Sequence, residues 1–289
     1  MEVGSDLKIS ERLNFMIDLN TDRSPTWCPG CGNFGIWAAF KQAATENNWD
    51  SANSVLVAGI GCHGHILNFT KITSFNGLHG RAIPVATGIK LVNPKLNTFV
   101  FTGDGDCLGE GGNHLIHACR RNHDLTIILH DNALYSLTTG QTSPMSPKGA
   151  KTKSTPDGNP DEPFFPLALA ISAGATFAAR AFSADIPRLA DLIARANRHQ
   201  GLAIIDVLQP CATFNKDYTY QFFQENTYFL DKDYDPTNKF LAIEKASEWG
   251  PKQIPLGIFY QVQKETFSYP EISLEVKERD IFGLLNKCK

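Results

Sequence analysis

The chain lacks the features that would send it to a membrane or to nucleic acid. No uncharged apolar run approaches the roughly 18 residues a membrane helix needs. Met1–Asn20 is charged and mixed, without the apolar core of a signal peptide. A formal net charge of −3 offers no basic face to a phosphate backbone or an anionic lipid. Internal repeats and low-complexity runs are absent as well. Seven cysteines are an odd count, and a secreted disulfide framework would be unusual in a chain of this size. Metal or redox use of the thiols is expected instead. A soluble, cytoplasmic protein follows. With 289 residues and 42% hydrophobic content, the chain can build one large α/β domain or two small ones.

Strand-like and helix-like segments alternate through most of the chain. Residues 1–26 read as an N-terminal arm ending at Ser24-Pro25. A helix is predicted from Asn33, a good N-cap residue, to about Thr45. Val55–Ile60 is a short apolar run, hence a buried strand. A helical stretch follows from His79 to Leu91. Then come strand Thr98–Thr102, helix Glu110–Arg121 and strand Leu125–His130. Thr138–Pro166 is rich in proline, glycine and lysine without periodicity, which marks a functional or disordered loop. Leu167–Ala175 reads as helix and Thr176–Arg180 as strand. Pro187–His199 repeats apolar residues at helical spacing, and Leu202–Leu208 is a strand closing at Gln209-Pro210-Cys211. This alternation predicts a mainly parallel sheet with helices on both faces, spanning 27–211. Beyond Ala212 the pattern breaks down. Residues 212–289 read as an irregular, aromatic-rich C-terminal extension wrapping another surface, with one helix near Asn238–Glu248.

The organising stretch is Thr102-Gly103-Asp104-Gly105-Asp106, with Asn132 lying 28 residues after Asp104. Asp104 and Asn132 each sit just past a strand's carboxyl end, where open α/β sheets bind ligands. A carboxylate and an amide carbonyl are hard oxygen donors suited to Mg²⁺ shared with phosphates. Gly103 and Gly105 lack Cβ, so their backbone N–H groups can approach a phosphate closely. The plain alternative is two ordinary turns that happen to carry Asp and Asn.

Cys28, Cys31, Cys62 and Cys211 each fall at a predicted loop or strand end, whereas Cys119 lies within a helix and reads as core. A thioredoxin-like pair at Cys28-Pro-Gly-Cys31 would need a preceding strand, and none is visible. Structural zinc on four thiolates and an iron–sulfur cluster on four thiolates share this spacing. Gly30 and Gly32 favour a cluster, because free N–H groups can bond to sulfur. Cys62 shares its glycine-rich loop, Gly59-Ile60-Gly61-Cys62-His63-Gly64-His65, with residues poised to meet a cofactor. Structural zinc has no reason to be there, whereas a redox cluster does.

Taken together, Gly-Asp-Gly with its distal Asn, Trp27-Cys28-Pro29-Gly30-Cys31-Gly32, Gly59-Ile60-Gly61-Cys62, the run His79–Lys90 and Thr138-Thr139-Gly140-Gln141 resemble the β subunit of the 2-oxoacid:ferredoxin oxidoreductases. The resemblance covers roughly residues 25–260. It implies a thiamine-diphosphate-binding fold and a [4Fe-4S] cluster on Cys28, Cys31, Cys62 and Cys211. It implies Mg²⁺ on Asp104, Asn132 and the backbone carbonyl of Leu134. Thiamine diphosphate would lie against Ile60, Gly61, Cys62, His63, His79, Gly105, Asp106, Ser136 and Leu137. His65 falls where the family has a substrate-facing residue, often Lys or Arg, and His63 is a second candidate catalytic group. For both histidines the plain alternative is a solvated loop residue. Asp131 replaces a common Asn and adds a negative charge near the metal.

The activity so implied is coenzyme A-dependent oxidative decarboxylation of a 2-oxoacid, with electrons passing through the cluster to ferredoxin. A glutamate needed by the cofactor sits on the α subunit in this family. The resemblance therefore implies a fused γ-α partner, an αβ or (αβ)₂ assembly, and an inactive lone chain. His65 near a second substrate carboxylate inclines the reading to 2-oxoglutarate, with pyruvate or broad specificity open. Two rival functions are a non-redox thiamine-diphosphate decarboxylase and a zinc-stapled scaffold.

Overall fold

A computed structural model describes residues 18–267. Its first half contains α1 (Asn33–Glu46), β1 (Ser54–Ala58), a 3₁₀ turn at Cys62–His65 leading into α2 (Ile66–Phe69), β2 (Ser74–Asn76), α3 (Ala82–Val92) and β3 (Asn97–Gly103). A π-helical turn, Gly105–Glu110, then precedes α4 (Gly112–Arg121) and β4 (Leu125–Asp131), followed by the small strands β5 (Leu134–Tyr135) and β6 (Gln141–Thr142). The second half holds α5 (Pro166–Ala173), β7 (Phe177–Phe182), α6 (Ile186–Arg198), β8 (Leu202–Leu208), α7 (Tyr220–Asn226), β9 (Thr227–Phe229), α8 (Lys239–Ala246) and β10 (Ile254–Gln261).

Eight strands join in one sheet, ordered β2-β1-β3-β4-β8-β7-β10-β9, and every neighbour pair is parallel except β7 with β10. Side-chain alternation explains why helices cover both faces. Leu56 and Ala58 of β1, with Phe99 and Phe101 of β3, pack on one side under α1 and α6. Val55, Val57 and Val100 point the other way, into a core with α3, α4, α5 and α8. The mainly parallel α/β architecture expected from the alternation is the one the chain adopts.

Several local expectations shift. Gly32, not Asn33, occupies the N-cap of α1; Asn33 is buried, and its Oδ1 lies 2.7 Å from Nδ1 of His130. The helix expected from His79 starts at Ala82. The helix expected from Glu110 begins at Gly112, because the π turn intervenes; such turns recur at functional sites. The aperiodic loop 138–166 is held together by its own bonds. Thr142 Oγ1 meets the hydroxyls of Thr152 and Thr155, and Asn159 donates to the carbonyls of Ser146 and Pro147. Beyond Ala212 regular structure continues, and β10 and β9 extend the sheet past β7. Pro255, Gly257 and an irregularity between Ile258 and Tyr260 hide β10 from a pattern search.

Among the described residues, one ion pair is wholly out of reach of solvent. Arg180 Nε donates to Asp206 Oδ2 at 2.8 Å, both side chains fully buried on neighbouring strands β7 and β8. Its guanidinium sits 5.5 Å from the Trp249 ring and 5.3 Å from that of Phe259, so the C-terminal segment closes over the pair. Removing one partner strands a buried charge. Arg180→Met is expected to cost about 3–5 kcal/mol, and the double change Arg180→Met with Asp206→Leu to recover most of it. Urea denaturation midpoints check this; a double variant no more stable than the single one contradicts it.

Candidate functional site

The chain leaves β1 on one side for β2 and returns on the other side for β3. The loops after β1 and β3 therefore diverge, opening a crevice at the strands' carboxyl ends. A cleft of about 500 Å³ lies there, lined by Ile60, Gly61, Cys62, His63, His79, Gly103, Asp104, Gly105, Asp106, Asn132, Leu134, Ser136 and Leu137, together with Tyr135 and Thr138. Except for His65 and the three cysteines outside the β1 loop, every candidate site residue read from the sequence meets in this one cleft.

Asp106 fastens its walls together. Oδ1 accepts from the backbone N–H of Ile60 at 3.1 Å and of Gly80 at 2.7 Å, while Oδ2 accepts from the Thr102 hydroxyl at 2.6 Å. His79 Nδ1 lies 3.1 Å and His63 Nε2 3.5 Å from the same carboxylate. Burial alone would raise this carboxyl, but His63, the Gly80 N–H and the Thr102 hydroxyl outweigh it and hold it below its ordinary value. A Cβ at Gly59 would lie 1.9 Å from Oδ2, so only glycine lets the loop after β1 come this close. His63 is itself buried against His130, with ring centroids 5.8 Å apart. It is not a solvated loop residue.

Asp104 ends β3 and starts the π turn. Ser143, reaching in from the loop 138–166, donates its hydroxyl to Asp104 Oδ2. Burial raises the Asp104 carboxyl to about 7, despite the opposing bonds from Ser143 and nearby backbone N–H groups. Asn132 follows β4, and its Oδ1 accepts from Leu134 N at 3.1 Å and from the Ser136 hydroxyl at 2.9 Å. Ala133 between them is held at φ +57°, with Asp131 Oδ1 accepting its N–H. Burial first, then the Asp206 and Asp104 carboxylates, push the Asp131 carboxyl well up, which works against the added negative charge the sequence suggested. The space at Gly105 is filled by protein: a Cβ there would strike the Tyr135 ring at 2.4 Å, and the Tyr135 hydroxyl donates to the Gly105 carbonyl.

A second pocket, of about 650 Å³, adjoins the cleft through Cys62, Asn132, Ser136 and Leu137. Cys28, Cys31, Cys62 and Cys211 all line it, and all four are free thiols. The Trp27 indole donates to the Cys62 carbonyl at 2.7 Å, which docks the Cys28–Cys31 turn on the loop after β1. Burial pushes the thiol of Cys31 up to about 11 and that of Cys62 up to about 12, with the other cysteines of the set adding to the rise. Cys31 and Cys62 therefore resist ionisation; a positively charged centre would reverse that. Among the described residues, no group of three or more Cys, His, Asp or Glu side chains is arranged to close on a single ion. His65 lies at this pocket, its Nδ1 3.1 Å from the Thr26 hydroxyl.

Sequence reasoning assigned no role to Ser143, Tyr135, Thr102 or Gln209. Their importance comes from tertiary contacts, although the position of Gln209 beside Cys211 was a usable signal.

Two family descriptions match the chain. Residues 31–207 match the thiamine pyrophosphate enzyme, C-terminal TPP binding domain, and residues 211–271 match the C terminal of the pyruvate ferredoxin oxidoreductase beta subunit. A 2-oxoacid:ferredoxin oxidoreductase subunit beta from a Sulfolobus species is 50% identical over 248 residues, covering 81% of each chain. The 2-oxoglutarate synthase subunit KorB of Archaeoglobus fulgidus is 45% identical over 200 residues, 68% of this chain and 74% of that one. A solved 2-oxoglutarate:ferredoxin oxidoreductase from Magnetococcus marinus, with 2-oxoglutarate, coenzyme A and succinyl-CoA bound, superposes with a TM-score of 0.84 at 37% identity, covering 86% of this chain and 85% of that one.

Asp104 gives the metal-free chain a pH signature. Its folded carboxyl, at about 7, lies above the value of about 4 expected unfolded. Between these the folded state binds the extra proton, so stability falls as pH rises from about 4 to about 7. Denaturation midpoints in chelator should therefore decline less steeply with pH for Asp104→Asn than for the wild type. Parallel profiles would contradict the assignment.

Proposed function

Because this chain belongs to the β subunits of the 2-oxoacid:ferredoxin oxidoreductases, we propose that it supplies the cofactor-binding half of an enzyme that oxidatively decarboxylates 2-oxoglutarate to succinyl-CoA and CO₂. The observation that carries the reading is a single loop after β1 that serves two pockets: Gly61 and His63 line the cleft, and Cys62 lines both it and the cysteine pocket. Thiamine diphosphate, when bound, supplies the carbanion-stabilising group for cleavage beside a ketone. In this reading Asp104, Asn132 and the Leu134 carbonyl hold Mg²⁺ against the diphosphate. The raised Asp104 carboxyl supports a cation there, since a buried carboxylate without one is poorly stabilised. Ile60, Gly61, His63, His79, Gly103, Gly105, Ser136 and Leu137 enclose the cofactor. Asp106, saturated by protein donors, sets the shape of that enclosure.

Cys28, Cys31, Cys62 and Cys211 would hold a [4Fe-4S] cluster, which would supply one-electron redox chemistry between the cofactor and ferredoxin. Coenzyme A takes the acyl group. His63, close beneath the cleft, and His65, at the cysteine pocket, are the chain's groups for the substrate carboxylates. The α partner, of fused γ-α type, completes the site. The names of the Archaeoglobus relative and the Magnetococcus structure support 2-oxoglutarate. The broader name of the Sulfolobus relative favours a second reading, an enzyme accepting several 2-oxoacids.

The test is anaerobic purification of the full chain with and without its α subunit, followed by iron analysis and 2-oxoacid-dependent dye reduction. The complex should contain iron and prefer 2-oxoglutarate to pyruvate. The lone chain should not turn over, and Cys62→Ser should lose the cluster. Zinc in place of iron, or full activity of the lone chain, would refute the proposal.

A further inference from the structure

Gln209 follows β8 directly and is 1% exposed. Its backbone N–H donates to the Asp131 carbonyl at 2.7 Å, fixing where its side chain starts. Oε1 accepts from Asn132 Nδ2 at 2.9 Å. Nε2 donates to the Pro210 carbonyl at 2.9 Å and to Cys31 Sγ at 3.5 Å. One buried amide thus touches a residue of the oxygen-ligand set at one end and a thiol of the sulfur set at the other.

The three partners dictate its orientation. Reversing the amide would set N–H against N–H at Asn132 and oxygen against both the Pro210 carbonyl and the sulfur. The orientation of Gln209 in turn dictates that of Asn132. With Nδ2 committed to Gln209, Asn132 Oδ1 must face Leu134 N and the Ser136 hydroxyl, on the wall of the cleft. The approach of the cysteine turn is equally constrained. A Cβ at Gly32 would lie 2.9 Å from Gln209 Cγ and 3.1 Å from Pro210 Cδ, and the Gly32 N–H donates to the Pro210 carbonyl at 3.0 Å. Any side chain at position 32 would lift Cys31 off the amide.

We propose that Gln209 is a positioning residue that couples the two cofactor sites, aiming the carbonyl of Asn132 at the metal while its N–H donates to the sulfur of Cys31. The proposal rests on the assignment of a cluster to the four cysteines and of Mg²⁺ to Asp104 and Asn132. A hydrogen bond to a cluster sulfur stabilises the more negative, reduced state and raises its potential. Groups behind a metal ligand typically alter affinity 10–100-fold. Two substitutions separate these ends: leucine has neither, and glutamate keeps the acceptor but replaces the donor with negative charge.

The full chain, co-produced anaerobically with its α subunit, is compared as wild type, Gln209→Leu and Gln209→Glu. The readouts are Mn²⁺ affinity in the presence of thiamine diphosphate, the cluster potential by EPR-monitored titration, and the thermal midpoint. Gln209→Leu should weaken Mn²⁺ binding by roughly 10–100-fold and shift the potential negative. Gln209→Glu should keep Mn²⁺ affinity within a few-fold of the wild type while also shifting the potential negative. Should the leucine variant assemble no cluster, the glutamate variant decides the sulfur arm. A potential unchanged in the glutamate variant overturns the coupling, as does Mn²⁺ binding lost equally in both variants. A thermal midpoint lowered with Mn²⁺ affinity and potential intact would reduce Gln209 to packing. A wild-type complex without iron instead removes the underlying cluster assignment, and the Mn²⁺ comparison still reports on Asn132.

Discussion

Three stretches far apart in sequence must stand within a few ångströms of one another for the cleft to exist, and the carboxylate of Asp106 is what holds them there. It accepts from the loop after β1, from the turn before α3 and from β3 itself. The Gly80 N–H and the Thr102 hydroxyl would otherwise be buried without a partner, at a cost of about 1–3 kcal/mol apiece. The arrangement is therefore cooperative. Neutralising or shortening Asp106 would release all three together, and the loops carrying His63, Cys62 and His79 would lose their common anchor. The glycine at position 59 is the steric counterpart of that anchor, since any side chain there would occupy the place of the carboxylate oxygens.

Around this anchor the buried electrostatics are lopsided. Asp104, Asp131 and Asp206 all have their carboxyls raised by burial, and only Asp206 has a cationic side chain bonded to it, Arg180. The thiols of Cys31 and Cys62 are raised as well. A fold gains nothing in stability from such a concentration of reluctant anions. Its persistence makes sense if cations complete it: a divalent ion at Asp104 and Asn132, and iron among the sulfurs. Arg180, closed off by Trp249 and Phe259, compensates Asp206 and leaves Asp104 and Asp131 without a bonded cationic side chain.

The candidate site was legible in the sequence because it is built from local signals. Gly-Asp-Gly after a strand, an Asn after the next strand and four cysteines at loop ends each announce a position relative to β structure, and the parallel sheet then brings those positions to one side. The elements missed have equally physical reasons. Asn33 looks like a cap, but its amide is drawn inward to His130, leaving Gly32 at the helix start. The π turn after Asp104 delays α4 in a way that apolar spacing does not encode. The strand β10 carries a proline, a glycine and a register irregularity, so no alternation marks it. Ser143 and Gln209 act through partners 39 and 77 residues away; nothing local marks Ser143, and only the neighbouring Cys211 points to Gln209.

The cysteine set exposes how folding and cofactor assembly are linked. Cys28 and Cys31 precede α1, Cys62 follows β1 and Cys211 follows β8, so the four meet only once the sheet has formed across its central strands. In a small zinc module, metal binding supplies most of the folding free energy. Here two extensive apolar cores flank the sheet, and the four thiols line one pocket at its edge. Trp27 ties two of the contributing loops together: its indole bonds the Cys62 carbonyl while its ring stacks edge-on with Phe34, Trp37 and Phe69. Aromatic packing, rather than the ligands, presses the first two cysteines against the third. A cluster built into such a pocket meets a fixed set of sulfurs and N–H donors, and a fixed environment is what a defined reduction potential requires.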